Sequence, residues 1–168
     1  MPARPHSETV WDSIYNKFLS KRSGDLQWRL IHWIVLSKRL TSKSSPPSTC
    51  CPFCICTEDV FHAFINCVRL VPLFNWFNFV SHKMNVVFSL RYFIFGFHAK
   101  PNKENILFRF LIATGKLAIY LTRREKLYGN PIGQCDIMFI FNALVSARIK
   151  LKFSFSQDSK KLDEFTNT

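Results

Sequence analysis

The sequence predicts a mainly α-helical single domain, and three observations carry that prediction. Apolar residues recur at helical spacing along most of the chain. The 168 residues are 48% hydrophobic and include 18 Phe, enough for one packed core and too much for a disordered basic tail. Cys51, Cys54, His62 and Cys67 follow one another as C-x2-C-x7-H-x4-C, a spacing that folds a short segment into a small zinc-binding knuckle.

The elements follow in order. Over residues 7–19, Val10, Trp11, Ile14, Tyr15, Phe18 and Leu19 share one helical face behind a serine able to cap, so a first amphipathic helix is expected. Ser23-Gly24 reads as a break, and Asp25 as the N-cap of a second helix over 26–36, where Trp28, Leu30, Ile31, Trp33 and Ile34 supply core side chains. Residues 37–49 turn to Ser, Lys, Thr and Pro, including Pro46-Pro47, and form a connection. These first 48 residues make an N-terminal part. The knuckle takes 49–71, a helical part takes 72–158, and a polar tail at 159–168 frays; together they are one structural unit.

Beyond the knuckle, 68–80 reads as helix restarted near Pro72, with Phe74, Trp76, Phe77 and Phe79 feeding the core. The segment 86–97 suits either a short strand near 86–95 or buried helix, since periodicity does not separate the two. A long helix is expected from Asn102 to about residue 128, stopped by Gly129-Asn130-Pro131, and a last one over 134–155.

In the knuckle, a two-residue gap lets the thiolates of Cys51 and Cys54 point to the same side of a reverse turn. His62 and Cys67 lie five apart, one more than a helical turn favours, so the helix should loosen or end near Cys67. Cys50 and Cys56 adjoin the set and offer alternative ligands, although Cys51 with Cys54 is the better pair. Four protein ligands close the sphere, which makes one Zn2+ structural. The competing reading is ordinary thiols or disulfides. Residues 1–10 hold no apolar h-region, so no secretory signal is expected and the reducing cytoplasm or nucleus is the expected location. Cys135 reads as a small buried hydrophobe.

Lys and Arg number 23 against 11 Asp and Glu, a net charge of +12, which favours polyanionic partners such as RNA or DNA through their phosphates. On the long helix Arg109, Lys116 and Arg123 are seven apart and share a face, with Arg124 and Lys126 extending the charge. This stripe is the candidate nucleic-acid-binding surface; the bland alternative is a solvated face with cations favouring the helix C-terminus. Arg148, Lys150 and Lys152 offer an extension of it. The apolar stretches 71–97 and 106–121 are interrupted by Asn75, Asn78, His82, Lys83, Arg91, Arg109 and Lys116, so no membrane partner is expected.

No enzyme is expected either, and no small-molecule substrate. The acids are scattered, without the carboxylate pair of a polymerase or the Asp, Glu and His cluster of an endonuclease. His32, His82 and His98 read as core or surface histidines.

Several motifs in order carry a resemblance: Trp11-x2-Ile14-Tyr15, Ser23-Gly24-Asp25-Leu26-Gln27-Trp28-Arg29, Cys51-Pro52-Phe53-Cys54, Glu58-Asp59-Val60-Phe61-His62-x4-Cys67, Arg69-Leu70 and Leu73-Phe74. Phe93-Ile94-Phe95-Gly96 and Lys116-Leu117-Ala118-Ile119-Tyr120-Leu121-x-Arg123 continue it. This order resembles the C-terminal region of LINE-type, non-LTR retrotransposon reverse transcriptases of the kind abundant in fish and amphibian genomes. The resemblance implies a zinc-binding piece downstream of the endonuclease and polymerase domains. Such a piece helps the polyprotein hold template RNA and target DNA, with the upstream domains as partners. It places the zinc on Cys51, Cys54, His62 and Cys67. Trp33 and the longer Ser/Lys/Pro connection depart from the pattern and suggest a drifted copy.

Overall fold

A computed structural model of the chain describes residues 19–32, 50–54, 56–95, 103–127 and 136–150. Nearly all of the helix expected over 7–19, the connection at 37–49, Cys135, His98, Lys152 and the tail at 159–168 lie outside the described residues. Among the described residues there are five α-helices: α1 (Lys21–Ile31), α2 (Val71–Lys83), α3 (Leu90–Phe95), α4 (Lys103–Leu127) and α5 (Ile137–Lys150). A π-helical turn, His62–Asn66, and a 3-10 turn, Val68–Leu70, precede α2. The described residues contain no strand beyond an isolated antiparallel bridge between Cys50 and Thr57, as the mainly α expectation requires.

Two local expectations are corrected. Asp25 does not cap the second helix: Ser20, with φ −70° and ψ 149°, takes that place, and its Oγ accepts the Ser23 N–H at 3.1 Å. Ser23 and Gly24 then lie buried inside α1 instead of breaking it. α1 packs against α3 and α4, and packing of this face overrides the weak helix propensity of Ser and Gly. The strand considered near 86–95 is absent. Residues 86–89 are an irregular lead-in, and Ser89 starts α3 by accepting the Tyr92 N–H on its Oγ at 3.2 Å and the Phe93 N–H on its carbonyl at 2.9 Å.

The remaining ends follow ordinary rules. Pro72 occupies the first turn of α2, where its missing N–H costs nothing. At the other end Asn85 adopts φ 52°, the Asn85 N–H meets the His82 carbonyl at 3.3 Å, and the Val86 N–H meets the Ser81 carbonyl at 2.9 Å. This is a Schellman closure, with Asn in the left-handed position that only Gly adopts more readily. Asp136 caps α5 through the Met138 N–H at 3.0 Å.

All five helices contribute to one core, with Leu26 and Leu30 from α1, Leu73 and Val80 from α2, Phe93 from α3, Leu111 and Ile119 from α4 and Val145 from α5. Its centre is aromatic: the Phe77 ring lies 5.9 Å from Phe93, 6.2 Å from Phe108 and 5.9 Å from Phe141, mostly edge to face. α2 crosses α4 at Gly115, where a Cβ would stand 2.7 Å from the Phe77 ring. The stretch Asn105–Lys126 is long and apolar enough to cross a membrane by length and composition, but 61% of its most apolar 18-residue window is buried inside the fold, and packing accounts for its apolarity.

Candidate metal centre

Backbone geometry assembles the first two ligands. Cys51 N–H donates to the Cys56 carbonyl at 2.8 Å, folding the turn back on itself beside the Cys50 and Thr57 bridge. Inside this turn the Phe53 N–H donates to Cys51 Sγ at 3.5 Å. Both sulfurs are thereby held on one side, while Cys50 and Cys56 are exposed and stand outside the group.

The second pair comes from a distorted helix. Asp59 caps it, its carboxylate accepting the His62 N–H and its carbonyl the Ala63 N–H at 2.8 Å. In a regular α-helix, five residues would rotate Cys67 about 140° away from His62. The chain instead winds a π turn, closed by the Cys67 N–H on the His62 carbonyl at 3.0 Å, and leaves the helix at Cys67 with φ −68° and ψ 130°. This is the loosening that the five-residue spacing predicts.

The four ligand atoms converge. Cys54 Sγ is 3.1 Å from His62 Nε2, Cys51 Sγ is 3.8 Å from Cys67 Sγ, and Cys54 Sγ is 4.0 Å from Cys67 Sγ. All lie within 4.8 Å of one another, so this group can hold a metal ion. The sulfurs are electrostatically unequal. Burial pushes the Cys51 thiol up, but the N–H groups of Phe53 and Cys54, with His62 and Cys54, outweigh it and bring it down to about 6. Burial raises Cys54 to about 12, helped by repulsion from Cys51 and Cys67, and raises Cys67 as well. Without a cation among them, the three thiols resist ionising together.

The basic stripe meets a different fate. Arg109, Lys116 and Arg123 do share a face, but it turns inward: Lys116 is 3% exposed and Arg123 6%, while Arg109 is half-buried with its guanidinium pKa lowered by burial. Lys116 Nζ donates to Gln27 Oε1 and, at 3.5 Å, to the Ile94 carbonyl, and stands 5.4 Å from the centre of the Phe93 ring. Gln27 Nε2 also donates to that carbonyl at 2.6 Å. Arg123 reaches Glu58 at 2.7 Å and Cys51 Sγ at 3.8 and 3.9 Å. Lys116 and Arg123 are thus removed from the expected phosphate surface. Arg124, paired with Glu125 at 3.1 Å, and Lys126 remain exposed. The signal lies in the residues between: Ile112 and Ile119, on the same face as the cations, mark it as a core face. Arg148 is half-buried, and His32 and His82 are surface residues, the His32 ring tilted against Trp28 at 4.6 Å.

No protein-family model matches the chain, and no solved structure matches it. Over 160 residues, 94% of its length, it is 30% identical to the transposon TX1 uncharacterized 149 kDa protein of Xenopus laevis. The chain spans 12% of that relative, so along nearly its whole length it is similar to a short stretch of a transposon protein.

Proposed function

We propose that the chain is a piece of a LINE-type retrotransposon reverse transcriptase: a zinc-stabilised module that holds RNA or DNA through phosphates and performs no catalysis of its own. The convergence of Cys51, Cys54, His62 and Cys67 carries this reading. A tetrahedral Zn2+ with Zn–S bonds of about 2.3 Å separates its sulfurs by about 3.8 Å. The observed 3.8 and 4.0 Å fit that sphere with little adjustment. Three thiolates and an imidazole are the donor set of structural zinc, and they leave no position for a reactive water.

Charge and kinship support the rest. Among the described residues Lys21, Arg22, Arg29, Arg69, Lys83, Arg91, Arg124 and Lys126 are exposed, against only Asp59 and Asp136. Such a surface attracts a polyanion. Arg22 and Arg29 share a face of α1, and Arg91 lies on the adjacent α3, so the phosphate contacts are assigned to this side as well as to Arg124 and Lys126. We take upstream domains of a parent polyprotein as partners and the nucleus or cytoplasm as location; the chain matches only 12% of a 149 kDa transposon protein, which leaves room for such domains.

Binding of the zinc-loaded chain to a single-stranded RNA of mixed sequence, measured across a salt series, tests this. Affinity should fall steeply with salt, and reversing Arg22, Arg29 and Arg91 to Glu should lower the slope by about 0.7 for each phosphate no longer neutralised. A second reading, docking onto another protein, draws on the exposed apolar side chains of Phe61, Val68 and Val71 around the knuckle. Salt-independent or absent RNA binding would favour it.

A further inference from the structure

Arg123 stands at the junction of the knuckle and α4, and its surroundings are too specific for a merely buried cation. One guanidinium nitrogen meets Glu58 at 2.7 Å, both terminal nitrogens approach Cys51 Sγ at 3.8 and 3.9 Å, and the Phe53 ring lies 5.5 Å from its carbon. All three partners belong to the knuckle and surround the side chain of a residue from the next-to-last turn of α4. The carboxylate contact is close yet poorly aligned, for Glu58 Oε2 is buried without a directed hydrogen bond. The guanidinium is therefore shared between a carboxylate and a sulfur.

We propose that Arg123 is a positioning residue for the metal centre. It donates to the Cys51 thiolate, offsets the charge of the loaded site, and makes metal occupancy felt in the last turns of α4. The inference rests on the zinc reading above. Three thiolates and a neutral imidazole around a dication leave one negative charge, and the Glu58 carboxylate adds a second, in a site where Cys51 and Cys67 are buried; Arg123 offsets one of the two. Arg123 is the cation in contact with those sulfurs among the described residues. A donor to a ligating atom lowers that atom's charge density and fixes its direction, as the partners of metal ligands commonly do. Glu58 keeps the arginine in place, and Phe53, sitting between the two cysteines of the turn, covers it.

Titration of the full chain with Co2+, read by its thiolate-to-cobalt absorption and competed with Zn2+, tests the assignment. The wild-type chain should take one equivalent with a tetrahedral spectrum; no such binding would sink the zinc reading itself and leave Arg123 without a site. Given wild-type binding, Arg123→Met should weaken Co2+ by about 10- to 100-fold and shift the charge-transfer band, while Arg124→Met, an equal change of charge on the exposed neighbour, should do neither. Unchanged affinity and spectrum in Arg123→Met, or equal losses in both variants, would overturn the proposal. Should Arg123→Met not fold, hydrogen exchange of the wild-type chain decides. Chelation should speed exchange at 122–126 at least tenfold while 107–111 keep their protection, and an equal response at both ends of α4, or none, would overturn it.

Discussion

A lysine ammonium taken out of water into a protein interior holds its proton less firmly than a solvated one, even where an amide oxygen and a peptide carbonyl accept from it. Lys116 is such a group: burial lowers its pKa from the usual 10.5 to about 7. The unfolded chain binds that proton throughout the interval between the two values, and the folded chain does not. Stability should therefore rise with pH across this window, by up to about 1.4 kcal/mol per pH unit. Replacing Lys116 by Met should remove the rise, while the loss of a donor to the buried Gln27 Oε1 adds a cost that does not change with pH. Urea midpoints of the two zinc-loaded proteins, measured from pH 7 to pH 9.5, check this; parallel curves would contradict it. The seven-residue spacing of Arg109, Lys116 and Arg123 is legible as a shared face. Its direction is not legible from the cations alone and shows only in Ile112 and Ile119 between them, since the spacing of the charges says which residues travel together and nothing of what stands opposite. Here Gln27, Ile94 and Glu58 stand opposite, from segments remote in sequence.

At the level of helices, the crossing of α2 over α4 depends on a missing side chain. Gly115 sits in mid-helix, where it costs roughly 1 kcal/mol relative to Ala, so by propensity alone Gly115→Ala would stabilise. The added methyl would fall 2.7 Å from one Phe77 ring carbon and 3.0 Å from the next, and that ring is hemmed in by Phe88, Phe93, Phe108 and Phe141. With no room to retreat, overpacking should prevail and leave a net loss of about 1 to 3 kcal/mol in chemical denaturation. Element boundaries show where sequence reading succeeds. Pro72 announces α2, and the five-residue spacing of His62 and Cys67 announces the loosened turn. The caps at Ser20 and Ser89 are harder to read, because Asp25 and the β-branched Val86 and Val87 give stronger local signals, and tertiary packing decides against both.

For the molecule as a whole, the knuckle and the aromatic core are different kinds of stabiliser. Structural zinc supplies about 10 to 16 kcal/mol of apparent binding energy in small isolated sites. Here Phe77, Phe93, Phe108 and Phe141 bind α2, α3, α4 and α5 together through their own ring packing. Chelation of the metal, or Cys67→Ser, should therefore unravel residues 50–70 while circular dichroism retains most of the helical signal. Loss of nearly all helicity would mean that the core does not stand without the ion. The Cys/His cluster is readable because holding a metal ion demands particular residues at short range. The way α1, α3 and α4 meet is not, since it depends on shape.

The widened turn between the imidazole and the last thiol works as a fixed calliper. Four residues span it, and both its ends are committed, one to a nitrogen and one to a sulfur that must face a common point. Insertions can accumulate in the proline- and serine-rich tract ahead of Cys50 at little cost. A single codon gained or lost between His62 and Cys67 would swing one donor out of reach, so in genomic copies of this chain a frame-preserving indel there would mark a copy whose four donors no longer converge.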